Sequence, residues 1–172
     1  TSTIPYFEGM GNVKMPILKT TGKNLFDSTL ENGDFNTSTG IPSNTSKSIV
    51  RTREYNEISQ NKTYCITVFN TTATLSTFTV YEYDNDFNYV KKTDSDVFTT
   101  DVNTKYVKFR FRKSNNAEFT EEELAVLSCM ITEGDTIPDT YEPHKSNTVT
   151  CNEEVTLRAI GVVKDEDDVE TG

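Results

Sequence analysis

From Ser48 onward the chain alternates apolar and polar positions in short runs, the period of two that sends successive side chains to opposite faces of a strand. Five runs carry the pattern: SIVRTRE (Ser48 to Glu54), TYCITVF (Thr63 to Phe69), TFTVYEY (Thr77 to Tyr83), FNYVKK (Phe87 to Lys92) and KYVKFRFRK (Lys105 to Lys113). They are rich in β-branched and aromatic residues, and polar turn formers separate them. Asp84-Asn85-Asp86 joins two aromatic runs and reads as a hairpin. The helical signal lies at Thr120, an N-cap followed by Glu121, Glu122 and a capping-box Glu123. It predicts one or two turns, then a closing strand from Leu127 to Thr132. Before Ser48, MPILK near Met15 reads as one short strand and GKNLF as a strand start, while Glu31 to Ser46 reads as a long surface loop. The spacing predicts an all-β fold: an antiparallel two-sheet β-sandwich of jelly-roll type over about Lys23 to Tyr141. The expected organisation is an N-terminal arm (1–21), the sandwich (22–145) and a C-terminal connector (146–172). The two flanks are expected to lie side by side as short paired strands, with the acidic Asp165 to Asp168 exposed.

Composition narrows the functions. The 172 residues are only 34% hydrophobic and 10% aromatic, so the apolar material sits in few, large side chains and suits the thin core of a sandwich. A net charge of −10 opposes the phosphate backbone of nucleic acid and anionic lipid alike. No apolar run approaches the roughly 20 residues of a membrane-spanning helix. The N-terminus lacks a signal peptide's basic and apolar regions, and a start at Thr1 reads as a processed or excised fragment. Cys65, Cys129 and Cys151 are an odd number, far apart, and with a single histidine they predict buried free thiols rather than a disulfide framework or a zinc site. That suits assembly in a reducing cytoplasm. The four Asn-x-Ser/Thr sequons match the Asn- and Thr-rich composition and predict no glycosylation.

Two end segments frame the β-rich middle: GKNLFD (Gly22 to Asp27), after PYFEGM (Pro5 to Met10), and ITEGDTIPDTYEPHKSNTVT (Ile131 to Thr150). Together with Tyr83-Asp84…Phe87 and the YVKFRF strand from Tyr106, they resemble the carbohydrate-binding-like sandwich modules in minor tail proteins of phages that infect Gram-positive bacteria. His144 stands where that family commonly has Tyr. The tail departs from it: Val162 follows Gly161, and an almost wholly acidic stretch replaces a hydrophobic run, as expected near a linker in a longer polypeptide. The resemblance implies a non-catalytic module for host attachment in a virion tail, with bacterial cell-surface glycan as ligand and other tail or baseplate proteins as partners in an oligomeric parent protein. A purely structural spacer and, less favoured, a glycan hydrolase are the alternatives.

Strand parity selects the candidate site. Val107, Phe109 and Phe111 share one face of their strand and must be core. Tyr106, Lys108, Arg110 and Arg112 share the other, a cationic row unusual in so acidic a chain. Aromatic rings for the C–H faces of pyranoses, with charged groups for their hydroxyls, are what a sugar site needs. Those four residues with Tyr81 and Tyr83 are therefore the candidate ligand face, and solvated ion pairing is the plainer reading of the same row. An exposed Arg110 there is expected to add little to folding. Arg51 and Arg53 share parity with Ile49, and Glu82 with Phe78 and Val80, which predicts structural ion pairs, with a polar cleft as the functional alternative. The NGDF turn (Asn32 to Phe35) has too few carboxylates for calcium, and His144 reads as a surface residue. No carboxylate pair is singled out for acid–base catalysis, so no catalytic residue, metal or cofactor is expected.

Overall fold

The strand with alternating aromatics sits at the centre of the larger sheet, because both of its faces find something to bury against. The computed structural model describes residues 18–43 and 46–149. In chain order the elements are β1 (Leu18–Thr21), β2 (Leu30–Asn32), β3 (Asp34–Phe35), β4 (Pro42–Ser43), β5 (Ile49–Thr52), β6 (Asn56–Glu57), β7 (Thr63–Phe69), β8 (Leu75–Tyr83), β9 (Tyr89–Thr93), β10 (Val97–Thr99), β11 (Tyr106–Lys113), α1 (Glu121–Val126), β12 (Ser128–Glu133) and β13 (Ser146–Val149). The larger sheet runs β2-β5-β11-β8-β9, with β6 also on β11, and the smaller runs β10-β7-β12. Their ladders are antiparallel throughout. The fold is an all-β sandwich. Thr21–Ser146 forms one compact unit. The described parts of the chain ends, β1 and β13, pair with each other. Met15 and the acidic stretch Asp165 to Asp168 lie outside the described residues.

Val50, Val80, Val107, Phe109 and Phe111 from the larger sheet meet Tyr64, Ile66, Cys129 and Ile131 from the smaller in one buried cluster. The parity assigned to β11 holds: Val107, Phe109 and Phe111 are fully buried, and both thiols within the described residues, Cys65 and Cys129, are buried and free. Burial pushes both thiols above their ordinary range. The short helix forms as the capping box predicts, with Thr120 Oγ1 accepting from Glu123 N and the Glu123 carboxylate accepting from Thr120 N.

Two expectations fail in the first fifty residues. GKNLF is not strand; a buried side chain anchors it. Asn24 is buried, its Nδ2 donates to the carbonyls of Cys129 (3.1 Å) and Glu142 (2.9 Å), and its Oδ1 accepts from Phe26 N (2.9 Å) and Ile131 N (3.2 Å). The front and rear sequence segments are thus joined by an amide that uses both of its donors and both acceptor sites, beside backbone hydrogen bonds from Gly22 N to the Lys145 carbonyl and from Leu25 N to the Ile131 carbonyl. Asn24→Ala leaves four backbone groups without their partner, and the expected loss is roughly 2–4 kcal/mol of unfolding free energy in a urea titration. An unchanged midpoint would refute this clamp. The second failure is the supposed surface loop: β2 pairs with β5 at the edge of the larger sheet, and β3 and β4 form a hairpin of their own.

Candidate functional site

The cationic row does not face open solvent. The β3–β4 hairpin lies on it, and Phe35, Tyr81 and Tyr83 form a second buried cluster bordered by Tyr55, Tyr89 and Tyr106. Two glycines let the hairpin come this close. A Cβ at Gly33 (φ +150°) would lie 2.9 Å from Arg51 Cζ, and one at Gly40 (φ +65°) would lie 2.8 Å from Tyr83 Oη. Arg51 fastens the hairpin from below: Nη1 donates to the carbonyls of Asp34 (2.6 Å) and Ser43 (2.7 Å), and Nε donates to Glu31 (2.8 Å). Tyr83 Oη donates to the Gly40 carbonyl at 2.6 Å. A sequence reading misses this lid because its strands are two residues long, too short to show a period. The traces it leaves are Gly33, Gly40 and the buried Phe35.

Each candidate residue can now be placed. Cross-strand pairing brings Tyr106 opposite Tyr83, Lys108 opposite Tyr81 and Arg110 opposite Thr79, so five of the six share one face. Four of the five are taken up internally, which corrects the expectation of an open ligand face. Tyr81 is fully buried against Phe35 (ring centroids 4.8 Å apart), and burial pushes its hydroxyl up to about 12. Burial also pushes the Tyr83 hydroxyl well above its ordinary value. Lys108 is buried, donates to the Arg53 carbonyl (2.7 Å) and lies 4.3 Å from the Tyr55 ring centroid. Burial first, and then the neighbouring Arg51 charge, lower its pKa. Arg110 pairs with the Asp34 carboxylate on the hairpin. Arg112 is separated from the others by the register shift between Arg110 and Arg112, and it donates instead to Thr77 Oγ1 (3.1 Å) and Asn116 Oδ1 (3.2 Å).

The other charges singled out in the strands are structural ion pairs. Glu31 receives Arg51 at 2.8 Å and Arg53 at 3.3 Å. Val50 and Thr52, not Ile49, are the β5 residues with no exposure, so Arg51 and Arg53 belong to the hairpin side of the sheet. Glu82 does face the core. Its Oε2 accepts from Asp101 N (2.8 Å) and Thr104 Oγ1 (2.6 Å), while Lys91 Nζ lies 3.5 Å from Oε1, an ion pair without hydrogen-bond geometry.

What remains open is the end of this face at the β8–β9 turn. Phe87 is 50% exposed and stacks on Tyr106, centroids 4.7 Å apart at an interplanar angle of 19°. Tyr55 packs against Phe87 at 4.8 Å and edge-on to Tyr83 at 4.9 Å, with Lys108 beneath its ring. Phe87 sits at φ +63°, a conformation costly for a bulky side chain. Asp84 holds it there: its carboxylate accepts from the backbone N–H of Asp86 (2.9 Å) and Asn88 (2.9 Å) and from Asn88 Nδ2 (3.1 Å). The Asn88 hydrogen bonds keep the Asp84 pKa below its ordinary value. Beside this edge Lys105 Nζ pairs with Glu57 at 2.7 Å.

Sequence reasoning singled out Tyr83 and Tyr106 but missed Tyr55 and Phe87 as partners. Phe87 was read as the first residue of a strand, but β9 begins at Tyr89 and Phe87 belongs to the turn before it. Among the described residues no cluster of three or more His, Cys, Asp or Glu is placed to hold a metal, and no helix is long and apolar enough to cross a membrane. No protein family, no curated protein and no solved structure matches this chain.

Proposed function

We propose that this is a non-catalytic glycan-binding module whose ligand stacks on the Tyr55–Phe87–Tyr106 edge. The observation that carries the reading is Phe87: an aromatic ring half out of the protein, in a backbone conformation that costs free energy, and held there by a carboxylate with three hydrogen bonds. Core packing does not require that arrangement, whereas the C–H face of a pyranose does use such a ring. The resemblance of GKNLFD, YEPHK and the YVKFRF strand to phage minor-tail modules supplies the setting. In that reading the jelly-roll-wound sandwich sits in a virion tail, contacts other tail or baseplate proteins in an oligomer, and binds bacterial cell-wall glycan at the host surface.

The test is a pulldown of the whole chain on purified Gram-positive cell walls against glycan-free beads. Phe87→Ala is expected to weaken retention by about 1–2 kcal/mol, roughly tenfold, with the unfolding midpoint unchanged. Asp84→Ala is expected to do the same by releasing the turn. Because the Asp84 pKa is depressed, its hold on Phe87 is present above the ordinary carboxylate range and is lost as pH falls through the depressed value, so binding should persist at neutral pH and fail only in acid. One observation favours the second reading, a structural spacer: Lys108, Arg110 and Tyr81, the groups best suited to a ligand, are taken up by the Arg53 carbonyl, the Asp34 carboxylate and the Phe35 ring. Equal retention on walls and beads would establish the spacer over the binding module, and release of reducing sugar would establish a hydrolase over both.

A further inference from the structure

A second site is marked by a histidine nitrogen and a carboxylate that face each other beside an apolar wall. A cleft of about 430 Å³ opens between the GKNLFD segment and α1, with an apolar wall of Phe26, Leu30, Leu124 and Leu127 and with Asp27 and His144 also lining it. His144 Nδ1 is 2.8 Å from the Asn24 carbonyl oxygen. A carbonyl can only accept, so in the neutral ring that nitrogen carries the proton and Nε2 is left as an acceptor. Nε2 lies 3.7 Å from Asp27 Oδ2, beyond hydrogen-bond reach. Neither atom has another hydrogen-bonding partner among the described residues, and the Asp27 side chain is 75% exposed. A group bringing O–H or N–H donors would satisfy both atoms at once. The wall beside them asks for something apolar on the same molecule.

We infer that this cleft takes an N-acetylated hexosamine unit. Its hydroxyl and amide N–H donate to His144 Nε2 and the Asp27 carboxylate, and its acetamido methyl lies on Leu124, Leu127 and Phe26. The pairing of a small apolar group with adjacent donors separates this ligand from a plain hexose, which has the donors and no methyl. The choice of a sugar rests on the glycan reading above; the site itself is independent of the Phe87 edge and shares no residue with it. A glycan chain that engaged both would gain avidity from the second contact.

The experiment is a titration of the whole ¹⁵N-labelled chain with N-acetylglucosamine and, in parallel, with glucose, followed by amide shifts. The expected result is saturable shifts at Asp27, Ser28, Leu127 and His144 with the acetamido sugar and far weaker ones with glucose. Ala125→Trp, at an exposed helix position on the cleft wall, should abolish them by filling the space without touching the core. His144→Gln should weaken binding roughly fivefold, the scale of one lost hydrogen bond. Phe87→Ala should leave these shifts as they are even where it abolishes wall retention, so the two sites fail separately. Shifts that survive Ala125→Trp, equal response to glucose, response confined to Phe87 and Tyr106, or no response at all would each overturn the inference.

Discussion

Phe109→Ala is expected to lower the unfolding free energy by about 3–5 kcal/mol, read from a urea titration, and to abolish any binding only through unfolding. The ring has no exposed surface; it lies between Phe26 (5.7 Å) and Phe111 (6.4 Å) and opposite Val80 in the ladder. Both sheets press on it, so little can collapse into the space its removal leaves. The next residue gives a sharper contrast than strand parity alone suggests. Arg110→Ala should not be neutral, because Arg110 carries the pair to Asp34 and is only 13% exposed in its side chain. Its expected cost is roughly 1–3 kcal/mol, the range for a charge-assisted hydrogen bond lost from a half-buried site. That loss should appear as faster proteolysis within residues 33–43 before global unfolding. Equal destabilisation by the two substitutions would mean that β11 is wrongly oriented, and a neutral Arg110→Ala would mean that the hairpin is held without it.

Glu82→Ala is the second large effect, about 3 kcal/mol. Glu82 is a carboxylate on the core side of β8 with no exposed surface, and it organises the turn before β11 by accepting from Asp101 N and Thr104 Oγ1. Truncation orphans both donors and leaves a void. Lys91, 40% exposed in its side chain, can turn to water, which keeps the cost below that of a fully buried broken pair. Glu82→Gln retains an acceptor oxygen and should recover more than half of the loss in the same titration. If glutamine is as damaging as alanine, the negative charge rather than the hydrogen bonds holds the turn.

β7, β8 and β11 were legible because period-two alternation over seven or more residues has no helical counterpart, whereas the three-residue β10 is too short to show a period and went unread. The short helix was legible because a capping box is a local device that needs no tertiary partner. The same local reasoning placed Phe109 in the core and left Tyr106, Lys108, Arg110 and Arg112 on the opposite side. It could not say what lay above that opposite side. Arg110 as a solvated ligand group and Arg110 as the anchor of a hairpin are identical in sequence; the difference is made by Asp34, 76 residues away.

By itself the sequence determined the fold class, the core face of β11 and the helix start, all of which follow from local period or local capping. Tertiary structure alone decided three things: that Asn24 joins the two end segments, that Gly33 and Gly40 let a two-strand hairpin close over the cationic row, and that the open aromatic surface is Tyr55, Phe87 and Tyr106. Each depends on contacts between residues far apart in the chain, where burial and hydrogen-bond satisfaction, rather than propensity, set the free energy.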